Sequence, residues 1–556
     1  MKNKLRTVLS ILVVMAFIFA ILSGCGTAKT NETQGTTAPA ATEATTAAPA
    51  DDGKVKLPLT DKPVTFKVFY PINRIEADMT KNELWKKLSK DTGINFEWEN
   101  PIGGAGATEA YNLMLASGNL PDLVVHSGAL SYKGGYSQAI DDKIYIDLKG
   151  LVQKNAPLYW KALSSNQAVL RDALTDKGEL PGLWNIAQLE NDKYQQLMGI
   201  MLRGDWLEEL KLPVPQTIDE WYITLKTFKE KKNCDFPLLI GPVNGMEAVG
   251  MFTSAFGITT PPVSQNAIHQ MFYPDAQGKM HYGGIEQGYQ EYLQVMSKWY
   301  KEGLFDRDFT TRGMRDLPGR AQVFGAGKAG AVAVYPEWTG MFFGSTQDKN
   351  MKMVAAPYPA KVAGEKQKIF ISRSKYLDQP SCITTACKQP ELLVSFFNYL
   401  CTEEGINMMN YGMEGDDFTM VDGQPKFTDK IMKNALGVAG AAENFAGSIR
   451  PIHTGALPNY MIQANPPANL EAKKIFADSS DPFFCAFQLT GEEGAKLSQI
   501  MNDIVTYTAE ETVKAYMNAD VAEKWMDVQA KQIKSMNIDE AIAIVQGAYD
   551  RYLARK

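Results

Sequence analysis

Val64-Thr65-Phe66-Lys67-Val68-Phe69-Tyr70 alternates apolar and polar side chains in the way a strand does, and the residues around it decide the fold class. Thr80, with Glu83 three residues on, reads as a capping box that opens a helix, and Gly93 reads as its stop. Ile94 to Trp98 is a second strand and Tyr111 to Ser117 a short helix. Leu123-Val124-Val125, introduced by Pro121-Asp122, is a third strand. Strand, helix, strand in this rhythm predicts an α/β fold with a largely parallel sheet covered on both faces. Downstream, Thr217 with Glu220 caps a helix that runs to about Lys231, and Pro390 opens another whose Leu392, Leu393, Phe396, Phe397 and Leu400 recur at helical spacing. Thr490 with Glu493 and Thr508 with Glu511 read as two more capping boxes, so the last seventy or so residues are expected to be all helical.

Upstream of the first strand the chain has a different character. Lys2, Lys4 and Arg6 precede an apolar run from Val8 to Leu22, which is too short and wrongly flanked for a spanning helix and reads as a signal peptide over 1–24. Leu22-Ser23-Gly24-Cys25 resembles the bacterial lipobox, which implies a thiol acylated with palmitate and a new N-terminus at Cys25. Gly26 to about Ala50 is Thr, Ala, Pro, Asn, Gln and Glu without a large apolar residue, so residues 25–60 read as a flexible stalk that cannot bury enough surface to order itself. The expectation is a lipoprotein held on the extracytoplasmic face of a cell membrane.

The chain has 556 residues, more than one core usually serves, so two or more domains are expected after the stalk. A net charge of −6 argues against nucleic acid, which selects basic faces. Cys234, Cys382, Cys387, Cys401 and Cys485 form no CxxC, and Cys382 and Cys387 flank a β-branched run that holds their Cα atoms ~16 Å apart, beyond disulfide reach. His126, His269, His281 and His453 are isolated. Free buried thiols, no metal site and no cofactor are the expectation.

Three segments resemble one family. The first is Gly199-Ile200-Met201-Leu202-Arg203-Gly204-Asp205-Trp206-Leu207-Glu208-Glu209-Leu210 with Leu212-Pro213-Val214-Pro215-Gln216-Thr217-Ile218-Asp219-Glu220-Trp221. The second is Thr384-Thr385-Ala386-Cys387-Lys388 running through Asn398-Tyr399-Leu400 to Glu403-Glu404-Gly405 and Tyr411-Gly412. The third is Gln546-Gly547-Ala548-Tyr549-Asp550-Arg551-Tyr552. Together they resemble the family 1 extracellular solute-binding proteins, in the large lipoprotein branch that serves oligosaccharide ABC importers. The resemblance implies a fold similar to maltose-binding protein, with two lobes joined by three chain crossings, near Leu183–Leu189, near Val354–Tyr358 and past Tyr411. Lobe 1 is then 61–185 plus about 358–410, and lobe 2 is 186–357 plus about 411–556. It also implies a monomer with an oligosaccharide ligand, ABC permease subunits as partners, and no catalysis.

Ligands of open parallel sheets sit beyond the carboxyl ends of strands. A sugar offers C–H faces to aromatic planes and hydroxyls to charged side chains. Tyr335-Pro336-Glu337-Trp338-Thr339-Gly340 follows an Ala331–Val334 strand and resembles the family's sugar loop, with Trp338 as the stacking residue and Glu337 as a hydroxyl acceptor. Trp184 falls at the first crossing. Tyr70 with Asn73, and His126 with Ser127, end strands of the first lobe, and Arg203 with Asp205 flank a helix start. Maltose-binding protein has a stacking tyrosine near this last segment where Leu202 stands here. Many relatives carry a calcium loop where this chain has Lys232-Asn233-Cys234-Asp235-Phe236-Pro237, too poor in oxygen ligands for calcium. The competing class is an exported glycosidase with two facing carboxylates. The adjacent pairs Glu208/Glu209, Glu403/Glu404 and Glu492/Glu493 point apart on helices and do not supply them.

Overall fold

A computed structural model describes residues 55–71, 79–101, 105–125, 132–186, 197–239, 249–259, 271–310, 317–371, 374, 377–434, 438, 441, 458–483 and 487–555. The leader, Cys25, Cys485 and most of the stalk lie outside them. Val64–Phe69 pairs in parallel with Ile94–Glu99 on one side and Leu123–Val125 on the other. Leu377–Ile383 is antiparallel to Leu123–Val125 and to Leu183–Ile186, completing a five-stranded sheet. Alternation sends Phe66, Val68, Leu123, Val125 and Ile383 to one face, under Leu84, Trp85 and Leu88 and the Phe396–Phe397 pair. Phe69, Val124 and Cys382 go to the other, against Ala107, Tyr111 and Met114. Apolar cover on both faces is what a mostly parallel sheet requires.

The second sheet has four strands in the order Met353–Ala355, Gly199–Arg203, Ala331–Val334, Leu238–Leu239. Gly199–Arg203 runs antiparallel to both of its neighbours, so this sheet is mixed rather than largely parallel. The long helix Gly491–Met517 packs on Gln287–Lys301, where the Tyr289 hydroxyl lies 2.8 Å from that of Thr512. The helical C-terminus is as expected, and among the described residues no helix is long and apolar enough to cross a membrane.

The caps show where local reading works. Thr217 and Thr490 make complete capping boxes with Glu220 and Glu493. Thr80 does not: Asn82 caps the helix Glu83–Thr92, accepting from the Leu84 and Trp85 N–H groups, and Gly93 ends it at φ 78. Thr508 lies inside the Gly491–Met517 helix, buried beside Tyr282, so no second helix starts there. The helix read as Tyr111–Ser117 begins at Ala105. Cys234, Cys382, Cys387 and Cys401 are free thiols, and burial pushes Cys234 and Cys387 up to about 12.

Two hydrophobic cores follow the two sheets. Ile186 packs in the first and Leu197 in the second. Ile369 is still in the second, while Leu377 has returned to the first. Tyr411, Phe418, Phe427, Tyr460 and Ala464 stay with the first, and Ala472 and Phe476 belong to the second. The chain thus changes core between Ile186 and Leu197, between Ile369 and Leu377, and between Ala464 and Ala472. The Tyr411 ring packs against Phe418, Phe427 and Tyr460, which ties the hairpin and helix that carry them to the first core.

The last helix, Ile538–Ala554, belongs to the second core and also grips the first. Arg555 Nε donates to Asp176 at 2.7 Å and Arg551 Nε to the same carboxylate at 3.1 Å. The Tyr552 hydroxyl donates to Asp172 at 2.7 Å, whose other oxygen accepts from Ser374 on the second crossing. Burial raises the pKa of Asp172 although these hydroxyls and Arg171 work against it.

The Phe272–Tyr282 hairpin carries a titrating group. His281 lies 2.9 Å from Glu286 and 3.2 Å from Asp275, and it stacks on Tyr273. Partial burial alone would lower its pKa, but the two carboxylates outweigh that and raise it above the ordinary 6.5. A folded-state pKa above the unfolded one means stabilisation that is fully present below pH 6.5 and is lost as pH rises through the raised value. The difference in melting temperature between the native chain and His281→Gln should therefore be largest in mild acid and vanish in alkali. A difference that grows with pH would contradict this sign.

Candidate binding cleft

The strand pairings define, in each sheet, the edge at which the chain passes to the other. In the first, the carboxyl ends of Val64–Phe69, Ile94–Glu99, Leu123–Val125 and Leu183–Ile186 share one edge, and Leu377, which returns from the second crossing, pairs there with Ile186. In the second, Gly199 receives the chain from the first crossing, and Val334, at the carboxyl end of its strand, is paired with it. Residues 335–338 thus leave the second sheet at its crossing edge.

Trp338 is at that edge and is 42% exposed. Its indole stands 4.9 Å from the Tyr335 ring, near perpendicular, and Met341 and Phe343 of the following short helix, Thr339–Gly344, are also exposed. An exposed aromatic cluster of this kind at a strand end offers faces to a ligand.

Glu337 plays a different part from the hydroxyl acceptor expected of it. One oxygen is bound to the ammonium of Lys473, whose side chain is 1% exposed. The other is buried and has no hydrogen-bond partner among the described residues. A lysine withdrawn from water needs a counter-charge, and Glu337 supplies it.

Arg203 and Asp205 are brought together, but away from Trp338. Gly199–Arg203 is antiparallel to Ala331–Val334, so Arg203 lies at the amino end of the strand whose carboxyl end leads to Trp338, and its N–H donates to Gly330. Its buried guanidinium donates to Asp205 and Asp348 at 2.8 Å each and lies 4.7 Å over the Trp206 ring. Burial alone would raise the Asp205 pKa, but the guanidinium and the Lys352 N–H hold it below the usual carboxylate value. This is an ion-paired sheet end, opposite the one that leads to Trp338.

Tyr70 and Trp184 are packing residues. Tyr70 is 8% exposed and meets Trp98 edge-on at 6.1 Å. The Trp184 indole donates to Ala173 at 3.1 Å, its ring abuts Tyr136 at 5.9 Å, and its backbone is clamped from both sides by the Tyr159 hydroxyl. Asn73, His126 and Ser127 lie outside the described residues. In the Lys232–Pro237 turn, Asn233 adopts φ 49, Cys234 is buried and Asp235 faces Lys328 at 3.6 Å. Among the described residues no group of three or more His, Cys, Asp or Glu could hold a metal ion.

Lys473 and Asn469 are the residues that sequence reasoning missed. A signal existed: Asn469, Ala472, Lys473 and Phe476 fall on one helical stripe, and that stripe is buried.

No protein-family profile matches the chain. It is 20% identical over 590 aligned residues to the fructooligosaccharide ABC transporter substrate-binding protein FusA of Streptococcus pneumoniae, covering all of both chains. It is 22% identical to the polygalacturonan/rhamnogalacturonan-binding protein YtcQ of Bacillus subtilis over 99% of each. Over its whole length the chain is thus similar to substrate-binding proteins of ABC transporters. A solved solute-binding protein, the alginate-binding protein AlgQ2 without calcium ion, superposes on 88% of this chain and 99% of its own, with a TM-score of 0.67 at 24% identity. Such a match shows the fold, the two-domain architecture of solute-binding proteins. These relatives and this structural neighbour are binding proteins rather than enzymes.

Proposed function

We propose that the chain captures an oligosaccharide between its two lobes and delivers it to an ABC-type permease. The observation that carries this reading is Trp338, half-exposed at the crossing edge of the second sheet, in a chain related end to end to proteins named for fructooligosaccharide and polygalacturonan binding. The lobes we assign are residues 61–186 with 377–464, and 197–371 with 467–555, following the two cores. Ligand touching both shifts the open–closed equilibrium through contacts that only the closed form makes. The permease reads the closed form. The basic and apolar leader, the Leu-Ser-Gly-Cys25 sequence and the Thr/Ala/Pro tether support anchoring through lipid on Cys25 at the outer face of the membrane. Trp338 is assigned to stacking on a sugar face, and Asn73, His126 and Ser127 remain candidates for hydroxyl contacts.

A thermal-shift panel of neutral and acidic oligosaccharides on the chain without its leader tests the reading. For the sugar that stabilises the protein most, Trp338→Ala should weaken affinity at least about tenfold, the loss of ~1.4 kcal/mol of aromatic contact, with the melting temperature of the free protein unchanged. An unaltered affinity would remove Trp338 from the site, and a panel without any shift would sink the sugar reading.

A further inference from the structure

The loop that presents Trp338 rests on one helix, Pro467–Asp478. Asn469 and Lys473 are one turn apart on its buried stripe. The Lys473 ammonium holds Glu337, the residue before Trp338. The Asn469 amide oxygen accepts from the Thr339 hydroxyl, the residue after it, at 2.9 Å. That hydroxyl is also 2.8 Å from the Pro336 carbonyl, and Thr339 is 3% exposed. The exposed indole is thus bracketed by two polar tethers that reach the same helix from the residues on either side of it.

Buried charge is a poor way to gain stability, since an apolar pair of similar volume would pack at no desolvation cost. What a buried ion pair and a buried hydrogen bond do supply is direction. Each satisfies its partner in one geometry, and together they leave the 336–339 turn one orientation on the helix. A stacking residue loses affinity if its plane is free to tilt, because ordering it on binding costs conformational entropy.

We propose that Lys473 and Asn469 are positioning residues for the binding loop: through Glu337 and Thr339 they fix the plane of the Trp338 indole before ligand arrives. The proposal rests on the reading of Trp338 as the stacking residue, but the tethers are testable without ligand. The chain labelled with 5-fluorotryptophan gives one fluorine resonance per tryptophan, nine in all, and Trp338→Phe identifies that of residue 338. Asn469→Ala removes one tether without burying a charge. The double substitution Lys473→Met with Glu337→Gln removes the other and both charges with it, so the fold is kept.

In each variant the 338 resonance should shift and broaden while the other eight stay in place. A 338 resonance at its native position and width in both folded variants would overturn the proposal, and in one of them would remove that residue from the role. The two readings fail separately. Unmoved resonances with a sugar affinity that still depends on Trp338 sink the positioning role alone. Moved resonances with an affinity indifferent to Trp338→Ala sink the stacking role.

Discussion

Glu337→Ala should lower folding stability by about 3–5 kcal/mol, the usual consequence of removing one partner of a buried ion pair. The substitution leaves the Lys473 ammonium, 1% exposed, without the carboxylate that balances it. Reaching water would require drawing the helix Pro467–Asp478 away from the second core, where Ala472 and Phe476 are fully packed. Equilibrium denaturation of the ligand-free protein measures this directly. A residue whose only work was to accept a sugar hydroxyl would leave the denaturation midpoint where it was, so the experiment separates the two roles that sequence and structure give Glu337. Glu337→Leu with Lys473→Met should recover most of the loss, because it removes the charge together with its partner.

Gly199→Ala should destabilise by about 1–3 kcal/mol, the range for overfilling a packed core. A Cβ at this position would come within 2.1 Å of the Phe476 ring, closer than any real carbon contact. The ring cannot swing clear, since Phe476 is 0% exposed and held 5.9 Å from Tyr358. Gly199 opens the strand that follows the first crossing, and Phe476 sits on the helix that follows the third. The clash therefore falls where two passages of the chain touch, and the displaced helix is the one that carries Asn469 and Lys473. The denaturation midpoint should fall and the 338 fluorine resonance should move with it. A midpoint unchanged from the native value would mean that the helix slides at no cost.

Much of the architecture was legible because its signals are local. The alternation of Val64 to Phe69, the stop at Gly93, the box at Thr217 and the proline at 390 each depend on a few neighbouring residues, and each stands where it was read. Thr508 has the same spacing to Glu511 as a true cap, yet a 27-residue helix runs through it, since tertiary burial against Tyr282 outweighs a local hydrogen bond. The candidate site was less legible. Trp338 could be placed because a strand immediately precedes it. Arg203 looked equally placed at a strand end, but only the antiparallel pairing of its strand with Ala331–Val334 reveals that this end faces away. Glu337 and Lys473 are 136 residues apart, and no spacing rule connects them.

The chain's three passages between cores also set an order of assembly. The first sheet has four of its strands by Ile186, but its fifth, Leu377–Ile383, arrives only after the whole 197–371 segment has been made. The second core in turn waits for Phe476, Trp525 and Tyr552. The first core has its last member at Ala464, whereas the second waits on residues as late as Tyr552, and contacts so distant in sequence are slow to form. The nascent chain thus remains short of its final fold until the closing helix arrives, and Tyr552, Arg551 and Arg555 then fasten that helix to Asp172 and Asp176. One helix, Ile538–Ala554, thereby closes the second core while bracing the first.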